Sequence, residues 1–282
     1  MKKIGLVLEG GGMRGMFTAG VLDFFLDKEL DFKLVIGVSA GACHACSYIS
    51  KQKYRARDVF LDYLGDKRYL SINNLRKSGE LFGSKFIYDE IPNKLNLFDN
   101  KTFMKSKTKF LAVATDLKTG EAEYLHIKDA KKDVDAIRAS ASLPMISNIV
   151  KYKNKEYLDG GISDSIPIKK AEQEGYEKNV VVLTRQKGYL KRNSRTYLAM
   201  KRKYKAYPEA IKRVQNRHKE YNETLEYIEK REKEGKVFII RPEKRLNIKR
   251  IEKNKEKLEQ TYMEGYKTAR ELYNELINFI EN

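Results

Sequence analysis

The chain has 282 residues, 41% of them apolar and 34% charged, and a net charge of +18. That length and apolar fraction suit one large α/β domain, or a main domain with an appendage, and exclude a disordered or fibrous chain. No apolar run approaches the ~20 residues of a membrane span, and the run at residues 4–8 is too short for the core of a secretory signal. The expectation is a cytoplasmic protein without a signal peptide or transmembrane segment.

The elements follow in chain order. Residues 4–8 form a short apolar run that reads as a buried parallel strand. Gly10-Gly11-Gly12-Met13-Arg14-Gly15 makes a glycine turn after it. Phe17, Val21, Leu22, Phe25 and Leu26 then recur at helical spacing over residues 16–30. Residues 34–36 are a second apolar run, Gly37-Val38-Ser39-Ala40-Gly41 a second glycine turn, and residues 40–49 a second helix. Strands alternating with helices predict a mostly parallel central sheet covered on both faces, a three-layer α/β/α arrangement. Further strands are expected at 110–114, 157–158 and 180–183, and helices at 134–142 and 168–174, the last closed by Gly175.

The character changes after Thr184. Residues 185–219 hold 13 Lys or Arg and one acidic residue, whereas residues 220–282 hold 14 of each sign. Long helical patterns fill 208–234 and 248–280, with a strand-like run at 237–240. The division expected is residues 1–184 as the main domain and 185–282 as a basic, then mainly helical extension packed on it.

The first glycine turn satisfies G-x-G-x-x-G through Gly10, Gly12 and Gly15. A dinucleotide fold wants an acid at the end of the second strand to hold the ribose, and that strand runs instead into Gly37-Val38-Ser39. The second turn fits G-x-S-x-G. A serine on a sharp strand-to-helix turn is strained, and the small residues Gly37 and Gly41 leave it room. The helix N-terminus at the same point favours a developing anion. Backbone N–H groups of Gly10, Gly11, Gly12, Met13 and Arg14 are candidates for an oxyanion hole, and Arg14 adds charge.

Histidine is the usual base beside such a serine. Only His44, His126 and His218 exist, and none has a catalytic-looking context, although His218 fits a Ser-then-His order. A carboxylate can serve instead if it sits against the hydroxyl. Asp159-Gly160-Gly161, after a short strand, is the best candidate, against the alternative of a plain Asp-Gly turn. Cys43 and Cys46 read as ordinary buried thiols on a helix, which fits a reducing compartment. No metal-ligand cluster is apparent.

Together these motifs resemble the patatin-like phospholipase family. Arg138-Ala139-Ser140-Ala141-Ser142-Leu143-Pro144 and Thr115-Asp116-Leu117 with Gly120 resemble further stretches of it, and the match covers about residues 4–184. The resemblance implies a patatin-like fold with Ser39 as nucleophile and Asp159 as base. It implies an oxyanion hole from the first glycine turn, and lipid acyl ester hydrolysis through an acyl-enzyme without metal or cofactor. Two alternatives remain open: a soluble esterase or thioesterase that meets no bilayer, and a non-catalytic phosphate- or nucleotide-binding module. Residues 185–219, with Tyr189, Tyr197, Tyr204 and Tyr207 among their charges, suggest peripheral contact with an anionic membrane. A solvated helical face, or pairing with the acidic helices downstream, explains the same pattern. Nucleic acid is not expected, because no recognition motif accompanies the charge.

Overall fold

A computed structural model describes residues 3–193 and 196–282. In chain order the elements are β1 (Ile4–Leu8), α1 (Gly15–Asp27), β2 (Leu34–Val38), α2 (Ala40–Ile49), α3 (Arg55–Tyr63), α4 (Ile72–Ser78), a π-helix (Phe86–Leu95), α5 (Asn100–Lys105), β3 (Lys109–Asp116) and β4 (Ala122–His126). They continue with α6 (Val134–Ser140), β5 (Val150–Tyr152), β6 (Lys155–Asp159), α7 (Ile168–Gln173), β7 (Lys178–Val182), α8 (Thr196–Lys203), α9 (Pro208–Lys233), β8 (Val237–Ile240), α10 (Lys255–Glu271) and α11 (Tyr273–Glu281).

The strands form one sheet in the order β5-β6-β3-β2-β1-β7-β8, with β4 also paired to β3. The five strands from β3 to β8 along this order run parallel. β4, β5 and β6 add antiparallel pairings at the β3 end. Side chains on a strand alternate between faces, and the core divides accordingly. Leu6, Leu8, Val35, Phe110 and Ala112 pack with Phe17, Val21 and Phe25 of α1 and with Ala42 and Ala45 of α2. Val7, Leu34, Ile36, Val38 and Leu111 face the other way, toward Ile168 and Ala171 of α7 and Tyr221 and Ile228 of α9. The fold is the three-layer α/β/α arrangement expected from the alternation of strands and helices.

The region after residue 184 is built into this body. β8 pairs in parallel with β7 over Asn179↔Val237 to Val182↔Ile240 and extends the sheet. α10 lies across α1 at backbone contact. A first side-chain carbon at Gly20 would stand 2.0 Å from the Tyr262 carbonyl oxygen, and one at Gly265 would stand 1.9 Å from that of Phe17. Around this crossing the Tyr262 hydroxyl donates to Asp23 Oδ2 at 2.9 Å, and Tyr266 meets Phe24 edge-on at 5.4 Å. Backbone cannot rotate away as a rotamer can, so Gly265→Val is expected to cost at least about 3 kcal/mol through overpacking. Urea unfolding against the parent protein measures it.

One helix differs from its sequence pattern. The run expected over 248–280 starts only at Lys255, where the Asn254 side chain caps the helix by accepting from Lys257 N. It also divides at Leu272. Residues 241–254 instead form a loop that carries Leu246 and Ile248 into the core and Arg250 to the glycine turn after β1. The π-helix at residues 86–95, which contains Pro92, has no periodicity that distinguishes it in sequence.

Candidate functional site

Sheet register brings the motifs together. Leu8 of β1 pairs with Gly37 of β2, so both glycine turns open on the same edge, as α/β sites do. Val38 of β2 pairs with Val113 of β3, and the next residue of β3, Ala114, pairs with Asp159 of β6. Asp159 therefore arrives two strands over from Ser39, with β3 between them, at the same level of the sheet.

Ser39 has φ 56° and ψ −123°, a sparsely populated region that costs of order 1–3 kcal/mol and persists only where the surroundings enforce it. The enforcing contacts are tight. A side-chain carbon at Gly37 would stand 2.6 Å from Ala42 Cα, and one at Gly41 2.7 Å from the Leu8 carbonyl oxygen. Gly10 lies against the Ser39 side chain. Ser39 N–H donates to Ser140 Oγ at 3.0 Å, fixing the turn to the C-terminal end of α6. Ser39 Oγ donates to Asp159 Oδ2 at 2.6 Å.

The carboxylate is itself oriented. Gly161 N–H donates to its other oxygen, Oδ1, at 2.8 Å, and Asp159 N–H donates to the Ser142 carbonyl. Thr115 Oγ1 donates to the Asp159 carbonyl at 2.9 Å. Gly160 packs on the Val113 backbone, where no side chain fits. Ser39 and Asp159 are 5% and 4% exposed. Burial raises the Asp159 carboxyl above the ordinary carboxylate range, against the opposing pull of the Ser39 hydrogen bond and the Arg217 charge.

The first glycine turn borders the same space. Gly12 has φ +57°, a left-handed conformation suited to glycine, with the Arg250 carbonyl 2.7 Å from where a side chain would begin. Met13 N–H donates to that carbonyl at 3.0 Å, which removes it from the expected oxyanion donors, and the Met13 side chain is buried in the core. Gly15 packs on Ala40 and His44. Arg14 is 7% exposed and borders the cavity, and burial beside Arg185 lowers its pKa to about 10.

Of the histidines, His44 is buried against Phe60, and burial alone lowers its pKa to about 4. It stays neutral and apart from Ser39 Oγ. His218 reaches the cavity, where its Nδ1 lies 3.1 Å from the Gln215 carbonyl oxygen; the Ser39 hydroxyl is bonded to Asp159 instead. The two thiols are free, and burial pushes Cys43 up to about 11 and Cys46 higher still, which makes them poor nucleophiles. Among the described residues no group of three or more His, Cys, Asp or Glu could hold a metal ion, and no helix is long and apolar enough to cross a membrane.

Ser39 and Asp159 open into a cavity of about 700 Å³. One wall is the glycine turn, another is Leu143 to Ile146 with Gly161 and Ile162, and much of the rest comes from beyond residue 184: Arg185, Tyr189, Lys191, Arg217 and Arg250 among them. The basic stretch thus turns part of its charge inward. Its tyrosines do not form an exposed set either: Tyr204 is buried, and Tyr207 donates to Glu156. A second cavity, about 420 Å³, begins one turn along α2 at Cys43 and Cys46 and is lined by Val59, Phe60, Ile91 and Ile137 among others.

A further network escaped sequence reading. Glu9, buried at the end of β1, accepts from Thr184 N and Oγ1 with one oxygen and from the Tyr221 hydroxyl with the other. It ties the first turn to β7 and α9. The only sequence signal was an acid breaking an apolar run directly before a glycine cluster.

A strained serine on a strand-to-helix turn is thus hydrogen-bonded to a carboxylate at the open edge of a mostly parallel sheet. The chain belongs to the patatin-like phospholipase family, whose model matches residues 6–171. Residues 207–281 match a domain of unknown function, DUF6363. The chain is 32% identical over 185 residues to the uncharacterized protein YjjU of Escherichia coli, covering 64% of this chain and 52% of that one. It is 27% identical over 179 residues to the probable lipid hydrolase 463L of Invertebrate iridescent virus 6, covering 58% and 61% respectively. The chain therefore spans less than two thirds of these relatives. VipD from Legionella pneumophila shares the fold with a TM-score of 0.50 at 13% identity, over 98% of this chain and 67% of that one.

Proposed function

We propose that the protein is a lipid acyl hydrolase that works through a Ser39–Asp159 dyad and an acyl-enzyme. The observation that carries this reading is the 2.6 Å hydrogen bond from Ser39 Oγ to Asp159 Oδ2 beside an open cavity. Ser39 Oγ attacks the ester carbonyl carbon as its proton passes to Asp159. The oxyanion is held by the N–H groups of Gly11 and Gly12, since that of Met13 is already committed. The alcohol leaves with the proton from Asp159. Water then gives a proton to Asp159, attacks the acyl carbon, and Ser39 recovers its hydrogen. The acyl chain occupies the largely apolar cavity beyond Cys43.

Gly161 N–H on Oδ1 supports the role of Asp159, because it leaves Oδ2 for the serine. A base must be ionised to act, and burial raises this carboxyl. Activity is therefore expected to be present above the raised pKa and lost as pH falls through it, at a higher pH than the ~3.9 of an ordinary aspartate. The test is kcat/KM against pH for a short-chain p-nitrophenyl ester. An acid limb above the ordinary value supports the reading, and the absence of ester turnover at any pH refutes it.

A further inference from the structure

The cavity beside Ser39 carries more positive charge than the dyad chemistry uses. Arg14, Arg185, Lys191, Arg217 and Arg250 are among the residues that border it, and among the described residues Asp159 is the one carboxylate on its wall. No ion pair to a carboxylate is found for these five among the described residues. Arg213, one turn from Arg217 on α9, does pair with Glu121 and Glu220. The inward cations have other neighbours: Arg185 stacks on Tyr189 at 4.3 Å and Lys191 on Tyr221 at 4.0 Å. Glu9 lies behind them, with both oxygens engaged by Thr184 and Tyr221.

Two observations suit this wall to an anionic ligand. Arg14, more than nine-tenths buried, has its Nε without a hydrogen-bond partner, and so does Arg217. Lys191 is pushed down to about 7 by burial and by the charges of Arg217, Arg250 and Arg14. Like charges gathered in a low-dielectric cleft repel one another unless a counter-charge joins them. Guanidinium groups are suited to phosphate, whose oxygens accept their paired N–H donors.

We propose that Arg14, Lys191, Arg217 and Arg250 form a subsite for a phosphate group on the substrate, so that the enzyme acts on acyl lipids whose headgroup ends in a bare phosphate. The inference rests on the hydrolase reading of Ser39 and adds the substrate class to it. Three of the four residues lie beyond residue 184, which gives the extension a role in selecting substrate. A phosphocholine headgroup fits this site poorly, because its quaternary ammonium would be brought toward the same cations.

The test is binding rather than turnover, so that it stands apart from catalysis. Full-length Ser39→Ala protein is titrated at fixed ionic strength with a monoacylglycerol phosphate, the matching phosphocholine lipid and inorganic phosphate. The phosphate lipid is expected to bind at least tenfold tighter than the phosphocholine lipid. That preference is expected to fall tenfold or more in Lys191→Gln and in Arg250→Gln, two variants that leave the backbone contact of Arg250 intact, and to persist in Lys201→Gln, a change at an exposed position of α8. Equal binding of the two lipids, or a preference that survives both site variants, overturns the proposal. Binding of inorganic phosphate without any lipid preference also overturns it, and identifies a free-phosphate site. Failure of the hydrolase reading is seen separately, as absence of ester turnover by the unmutated protein.

Discussion

Ser39→Ala is expected to lower kcat for a short-chain ester by about 10⁴-fold or more, since removing a member of a catalytic unit abolishes most of what the unit contributes. The fold should survive the change. Alanine keeps the carbon that packs on Gly10, and the constraints at Gly37 and Gly41 that hold φ at 56° are untouched. What disappears is one hydroxyl and its bond to Asp159. Asp159 retains Gly161 N–H and the nearby Arg217 charge. Steady-state turnover together with a circular dichroism melt separates lost chemistry from lost fold. Activity within tenfold of the parent protein would remove Ser39 from the mechanism.

Asp159→Asn is expected to lower kcat by about 10³–10⁴-fold, comparable with the loss when an acid that sets a catalytic unit's protonation is replaced by its amide. The substitution is nearly isosteric, and one amide oxygen can still accept from Gly161. An amide cannot take the serine proton, and an NH₂ facing Ser39 would donate to the oxygen it should activate. Loss of activity with an unchanged melting profile is the expected pair of results. If His218 were the base instead, the Asn variant would keep most of its rate and His218→Ala would lose it.

The features legible in sequence share a physical basis. Ser39, Gly10–Gly15 and Asp159 each stand where a short strand ends, and strand ends need turn residues that can be recognised locally. Sheet pairing then did the assembly, through Leu8↔Gly37 and Ala114↔Asp159. The cationic wall was not legible as a wall. Lys191, Arg217 and Arg250 are far apart in the chain and have ordinary neighbours in sequence, so the charge of 185–219 read as a surface property. Only the packing of α9 and of the loop before α10 reveals that part of it faces inward. Ser140 was visible as part of a familiar segment, but its bond to Ser39 N–H depends on where α6 ends. The strand at 237–240 is legible in the sequence, whereas its place beside β7 is not, since pairing partners are set by topology.

The central claim is that Ser39 is an activated nucleophile in the folded protein. The most direct measurement is labelling with a fluorophosphonate probe followed by peptide mass spectrometry. The account predicts a single adduct on Ser39, abolished by Ser39→Ala, by Asp159→Asn and by unfolding in urea before the probe is added. Folded protein that stays unlabelled, or that is labelled at another residue with Ser39 free, would contradict it.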